Sequence, residues 1–432
     1  MTSDSGQLSP CMDSGPTGTK TILTHRHQMI GVSRVPWPRW SYSYTVLLLG
    51  WLGWICIYLT KSALPPLLPV LSSEMGLSHA QAGMIESAYL VGYILVKVPV
   101  GYLANRFGAR RLLVLGMVGY GAASALFTFA SSYPMVLLLR FLVGFFQGIH
   151  LPVANALLSE RFGLRQGRAI GFHESGPNVG TTIAYPLAIT VASIWSWRWA
   201  FLLLSVPAFF LAVAAFSLLR DEPFGGQRQG DAARENNQRL RDYAWVLLPL
   251  ALAIGLYNVC LTALLTFTPS YLVEFRGLSL ASAGLISMVL PAAGFVAKVG
   301  SGFAAERVGS RNAICGAAAL TGASIVLLTL LEGDLPLALN FVLMGLVLYA
   351  FSPVVYSSVT SALPSRLKAT GLSVITIAGN LVGAFSAAMV GSLIDARGYN
   401  SAFLIIAGTV FLVTFLVFTT MRDRAPRRPR VV

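Results

Sequence analysis

Between residues 44 and 420 the chain keeps returning to one unit: about twenty apolar residues, then a short polar turn. A helix of that length crosses the roughly 30 Å of hydrocarbon in a bilayer. Only helices and closed barrels can satisfy their backbone there. The runs fall near residues 44–70, 80–103, 112–131, 134–158, 168–192, 199–219, 244–268, 280–303, 312–331, 336–362, 370–393 and 401–420, which makes twelve spans. An all-α integral membrane protein follows. Composition agrees, since 55% of the 432 residues are hydrophobic and 11% are charged, against roughly a quarter charged in soluble domains.

A net charge of +14 would suit a nucleic-acid binder, but placement argues otherwise. Arg198, Arg276 and Arg397 are the only three of the 31 Lys and Arg residues in loops on one side, and Lys61, Lys97, Arg140 and Lys298 lie within spans. The remaining 24 lie in segments on the side of the termini, which puts both ends in the cytoplasm by the positive-inside rule. No nucleic-acid partner is expected. Residues 1–43 are rich in Ser, Thr, Gly and Pro, with no apolar core of the kind a signal peptide needs. They are expected to form a disordered cytoplasmic tail, within which Met29 would also serve as a start. Residues 220–243, with Arg228, Arg234, Arg239 and Arg241, form the expected linker between two six-helix halves, 44–219 and 244–420, and residues 421–432 a basic tail. Cys11, Cys56, Cys260 and Cys315 have no disulfide or metal spacing and are expected to be inert.

The halves are duplicates. Lys97, Gly101, Arg106, Gly108 and Arg110 return at a constant offset of 201 as Lys298, Gly302, Arg307, Gly309 and Arg311. Glu74-Met75-Gly76-Leu77-Ser78 is echoed by Glu274-Phe275-Arg276-Gly277-Leu278-Ser279, and Gly144 and Pro152 by Gly345 and Pro353. Duplicated halves place a binding site near the bilayer midplane, at their interface. The spacings Gly144-Gly148 and Gly379-Gly383 suit close helix contact.

Twelve spans, the six-plus-six repeat and Gly101-x-x-x-Asn105-Arg106-x-Gly108-x-Arg110-Arg111 after span 2 resemble the major facilitator superfamily. The resemblance covers residues from about 44 to 420 and implies the major facilitator fold. It also implies that Gly101, Asn105, Arg106, Gly108 and Arg110 form a gating loop that clasps the halves in the outward-open state. Asn105 stands where most members carry Asp, and so offers a hydrogen bond without a carboxylate. A narrower resemblance is to the anion:cation symporters and organophosphate:phosphate antiporters. It rests on Lys61 eight residues before Pro69, on Tyr93-x-x-x-Lys97, and on Arg140-Phe141-x-x-Gly144. The acids that many proton-coupled members carry in spans 1 and 4 are Thr60 and Gln147 here, so their coupling residues do not transfer.

Charges inside a membrane are costly, roughly 2.5–3.5 kcal/mol each at a helix centre, and usually mark a substrate or ion path. Lys97 and Lys298 lie one turn from a span end, where snorkelling is the plain alternative; Lys61 lies deeper. Glu86, Tyr93 and Lys97 share one helical face. In span 5, His173 and Glu174 precede Gly176-Pro177-x-x-Gly180, most of a signature that proton-driven drug exporters carry. No Walker loop, metal cluster or nucleophile–base pair is visible. The chain is therefore expected to be neither an enzyme nor a cofactor protein, and to draw on gradients rather than ATP.

The expectation is a secondary transporter in the cytoplasmic membrane. It would take up a small organic anion (carboxylate, sulfonate or phosphate type) with a co-transported cation, a proton, and act as a monomer. Lys61, Tyr93, Lys97, Gln147, Asn178 and Lys298 are the expected substrate contacts, and Glu86, Glu174 and His173 the expected proton-coupling groups. A proton-driven exporter and a non-transporting sensor on the same fold are the alternatives.

Overall fold

The computed structural model describes residues 40–220, 241–364 and 367–421, and the regular structure among them is helical throughout. The helices group into twelve rods matching the twelve apolar runs. Most of the expected linker and both tails lie outside the described residues; the first helix begins at Tyr42.

Several rods are broken, each near a proline. Span 1 comprises Tyr42–Lys61 and Leu64–Met75. Pro65 and Pro66 cannot donate to the carbonyls four residues back, so the ladder fails at Lys61 and Ser62. Span 2 bends by 55° between His79–Lys97 and Val100–Phe107, at Pro99. Span 4 breaks between Tyr133–Gln147 and His150–Phe162 ahead of Pro152. Span 5 breaks between Gln166–His173 and Gly176–Ile194 ahead of Pro177, and span 10 between Asp334–Leu348 and Phe351–Ala362 ahead of Pro353. Irregular backbone at this depth is tolerated where it is buried in protein or lines a cavity. Spans 11 and 12 run together as Lys368–Thr420, turned at Gly398 (φ 74°).

The repeat is visible in the packing. A Cβ at Gly144 would stand 2.0 Å from the Tyr89 carbonyl oxygen, and one at Gly345 2.5 Å from that of Leu290. Both pairs are 201 residues apart, so the same helix contact is built twice. The halves meet where span 2 packs on span 11 and span 5 on span 8. On the side away from the termini this contact is tight: a Cβ at Gly83 would lie 2.1 Å from the Ala387 oxygen, and one at Gly391 2.1 Å from the His79 oxygen. On the termini side, the helices Val100–Phe107, His150–Phe162, Gln166–His173 and Phe351–Ala362 pack within their own halves, and Tyr102 and Phe107 are exposed. The molecule is closed on the far side and open towards its termini.

Candidate functional site

A cavity of about 500 Å³ lies between the halves, walled by spans 1, 2 and 5 from one half and 7, 8, 10 and 11 from the other. Its charged residues are Lys61, Glu86, Glu174 and Lys298. The break in span 1 carries Lys61 to the wall. Its Nζ stands 4.0 Å from Glu86 Oε1 and over the rings of Tyr58 and Tyr89, 5.2 and 5.0 Å from their centroids. Behind it, Arg140 Nη2 donates to Glu86 Oε2 at 2.9 Å. Arg140 is 1% exposed and Glu86 6%. A guanidinium so deeply buried needs a counter-ion, and Glu86 is that counter-ion. Lys61 is thus the cation this cluster presents to the cavity.

On the opposite wall Lys298 Nζ donates to Asn178 Oδ1 at 2.8 Å, and Asn178 Nδ2 donates to the Pro291 carbonyl at 3.1 Å. Asn178 belongs to span 5 and Lys298 to span 8, so this pair joins the two halves at the cavity. Glu174 faces the same space from the break in span 5, with its Oε1 3.7 Å from His173 Nδ1.

Four of the expected groups lie elsewhere. Gln147 is fully buried: its Oε1 accepts from Tyr89 Oη at 2.8 Å, and its Nε2 donates to Thr60 Oγ1 at 2.8 Å and to the Ile57 carbonyl at 3.3 Å. Gln147 and Thr60 thus belong to a neutral network whose partners are supplied by protein. His173 is also fully buried. Its ring stacks on His150, Nε2 to Nε2 3.3 Å, and lies beside Trp54. Tyr93 stacks on Tyr89, and Lys97 lays its Nζ 4.0 Å above the Tyr93 ring centre. A phenol face holds an ammonium electrostatically, so Lys97 is oriented onto span 2 itself.

In the loop after span 2, Gly108 has φ 83° and links two helices at a left-handed turn. Gly101 has open space around it, and Asn105 and Arg106 are exposed. Arg110 turns to its own half, its guanidinium 5.0 Å from the Phe216 ring centre. Arg311 repeats this on Phe418, at 4.1 Å, and donates to its carbonyl at 2.6 Å. In this state these two arginines tie spans within each half.

The sequence reading missed the neutral wall. Asn258, Thr262 and Thr266 of span 7, Ser352 of span 10 and Asn380 of span 11 line the cavity. Asn258, Thr262 and Thr266 are four residues apart, so a polar stripe at helical spacing in an apolar run was the available signal.

Comparison with known proteins gives a consistent result. The family model described as Major Facilitator Superfamily matches residues 50–387 and 295–432. The hexuronate transporter of Bacillus subtilis is 25% identical over 399 residues, covering 87% of this chain and 94% of its own length. The D-galactonate transporter of Escherichia coli is 25% identical over 405 residues, covering 85% and 93%. Among solved structures, a D-xylose–proton symporter superposes with TM-score 0.76 at 18% identity, covering 90% of this chain and all of the other. An inward-facing, unoccupied bacterial homologue of the lysosomal transporter Spinster superposes with TM-score 0.74 at 17% identity, covering 89% and 99%. With the fold, the duplicated halves and the family model in agreement, the chain belongs to the Major Facilitator Superfamily and is a transporter-family protein, not an enzyme.

Proposed function

We propose that the chain moves a small organic anion by alternating access, with a hydroxyl-bearing carboxylate the best-fitting cargo. The observation that carries the reading is the pair Lys61 and Lys298, one from each half, on one cavity. An anion held between them favours the state in which the halves close around it, and that differential affinity is what alternating access requires. The Asn and Thr wall of spans 7 and 11 supplies donors and acceptors for hydroxyls. Relatives named for hexuronate, galactonate and sulfoacetate suit the same logic of an anionic head on a small polar body.

The basic bias of the segments between spans puts the termini in the cytoplasm, which makes this the inward-open state of an inner-membrane protein. Coupling falls to Glu174. Lys61, Arg140 and Lys298 against Glu86 and Glu174 leave the site at +1, and a proton on Glu174 raises it to +2, which strengthens anion binding. Gly176 and Gly180 press against Trp51, Trp54 and Ile55 of span 1, so packing accounts for those glycines without an exporter.

The test is a thermal-shift screen of the purified protein against galactonate, glucuronate, tartrate and sulfoacetate, beside Lys61→Ala and Lys298→Ala. A ligand at a hundred times its Kd stabilises the folded state by about 2.7 kcal/mol. One of these anions is expected to shift the wild type, with the shift lost in both variants. Uptake of that anion into vesicles should then rise with an inward proton gradient and lose the dependence in Glu174→Gln. An anion-independent melting temperature in the wild type would sink the proposal.

A further inference from the structure

At the closed far side, the start of span 2 is held by the other half. Asp395, in the turn between spans 11 and 12, accepts from the backbone N–H of His79 at 2.9 Å and of Ala80 at 2.8 Å. The same carboxylate lies 2.7 Å from His79 Nδ1. The other ring nitrogen, Nε2, lies 2.8 Å from Glu274 Oε2, at the end of span 7. Tyr399 donates to that Glu274 oxygen at 2.9 Å and sets its ring edge-on to the imidazole. A carboxylate only accepts, and a neutral imidazole has one N–H. Both ring contacts are therefore hydrogen bonds only when His79 carries two protons. In the neutral ring one lone pair faces a carboxylate, and two negative charges share the site.

The duplication explains why the imidazole is needed. In the first half, Glu74 is satisfied internally, by Trp197 Nε1 and by the Arg198 guanidinium. Trp197-Arg198-Trp199-Ala200-Phe201 aligns with Tyr399-Asn400-Ser401-Ala402-Phe403, so the counterpart of Trp197 is Tyr399 and that of Arg198 is Asn400. The second half thus kept the acid as Glu274 and its aromatic donor as Tyr399, which donates to Glu274 as Trp197 does to Glu74, but has the neutral Asn400 in place of the cation. The nearby Arg276 does not fill the gap, since it donates to Tyr271 Oη and the Leu328 carbonyl, both at 2.7 Å. Arg198 is likewise turned to Glu74. From span 4, the group near this end of span 2 is the neutral Tyr133, which donates to the Gln81 carbonyl; Glu86 lies two turns deeper on span 2. The cation for Glu274 comes from the opposite half, and it is His79.

We propose that His79 is a proton-binding site whose protonation latches the two halves together at the far face. Its side chain and those of Glu274 and Asp395 are 30–35% exposed, so protons reach it from the water. Parting the halves on this side breaks all four bonds from His79 and Ala80. The proton is therefore held more tightly when the far face is closed. That state gains as pH falls, and loses its advantage as pH rises through the titration of the latched imidazole. For one linked proton the closed-to-open ratio changes by at most about tenfold per pH unit. The latch rests on alternating access and on no particular cargo.

The test measures, without added anion, the distance between spin labels at Ser73→Cys and Ala396→Cys, both exposed at the far face. The full-length protein would be reconstituted in lipid nanodiscs. Between pH 8 and pH 5.5 the short-distance population of the otherwise unaltered protein should grow relative to the long one by tenfold or more. In His79→Ala it should be smaller and independent of pH. Glu274→Gln keeps shape and volume, guards against misfolding of the first variant, and should flatten most of the response. A population that ignores pH in the unaltered protein, or a pH response that survives in both variants, overturns the latch. Because no anion is present, failure of the anion-transport reading would leave this result intact.

Discussion

Arg140 and Glu86 form a buried ion pair with an unequal set of neighbours. Glu86 has a second cation, Lys61, at 4.0 Å. Among the described residues Arg140 has Glu86 and the face of Tyr89, 5.0 Å from its guanidinium carbon, and no hydrogen-bond partner there for its Nε. Removing one partner of a buried pair costs about 3–5 kcal/mol, because the other is left uncompensated. Glu86→Gln should therefore destabilise at the upper end of that range. Arg140→Gln should cost less, since Lys61 can move onto the orphaned carboxylate. The double variant should recover part of the loss, and thermal unfolding of the four proteins in one detergent reads all three differences. If Arg140→Gln proves the more damaging, Lys61 does not share Glu86. The same variant should also weaken anion binding, because Lys61 would then be drawn away from the cavity.

Helix contacts follow the same logic at a larger scale, since the duplicated glycines leave unequal room. Gly144 approaches the Tyr89 oxygen more closely than Gly345 approaches that of Leu290, with virtual Cβ distances of 2.0 and 2.5 Å. Overpacking costs about 1–3 kcal/mol and more where backbone blocks the way. Gly144→Ala should thus lower the melting temperature further than Gly345→Ala, although both sit at the same place in the repeat. Elements of this kind were legible in the sequence. Twenty-residue apolar runs, the offset of 201 and the Lys and Arg bias needed no tertiary knowledge. The breaks fall by the prolines at 65, 66, 99, 152, 177 and 353, but Pro69, Pro186, Pro207, Pro249 and Pro291 sit inside continuous helices, so proline alone does not locate a break. What stayed hidden depends on which way a side chain turns. The 100° rule put Glu86, Tyr93 and Lys97 on one face. It could not show that Lys97 lies on the Tyr93 ring, that Gln147 spends its amide on Tyr89 and Thr60, or that Glu86 is matched by Arg140 from another span. Pairing between spans has no period along the chain.

For the whole molecule the consequence is a pair of opposed faces, only one of which is closed. Gly83 and Gly391 let the halves touch on the far side, while Gly101 on the termini side stands in open space. An indole at Gly83 has nowhere to go while the far face is shut. Gly83→Trp should therefore hold that face open and lengthen the Ser73–Ala396 label distance at every pH, whatever the state of His79. A Cβ at Gly101 has no heavy atom within 4 Å in the present state, so Gly101→Trp should fold normally. If the loop after span 2 closes on the other half when the far face opens, as the family resemblance implies, the indole blocks that closure. The far face then stays shut and the short distance should dominate even at pH 8. Opposite shifts from two tryptophans, placed near opposite ends of one helical rod, are what a rigid exchange between two faces requires. Shifts of the same sign would mean that the faces open independently, and that the cavity has no alternating access to couple.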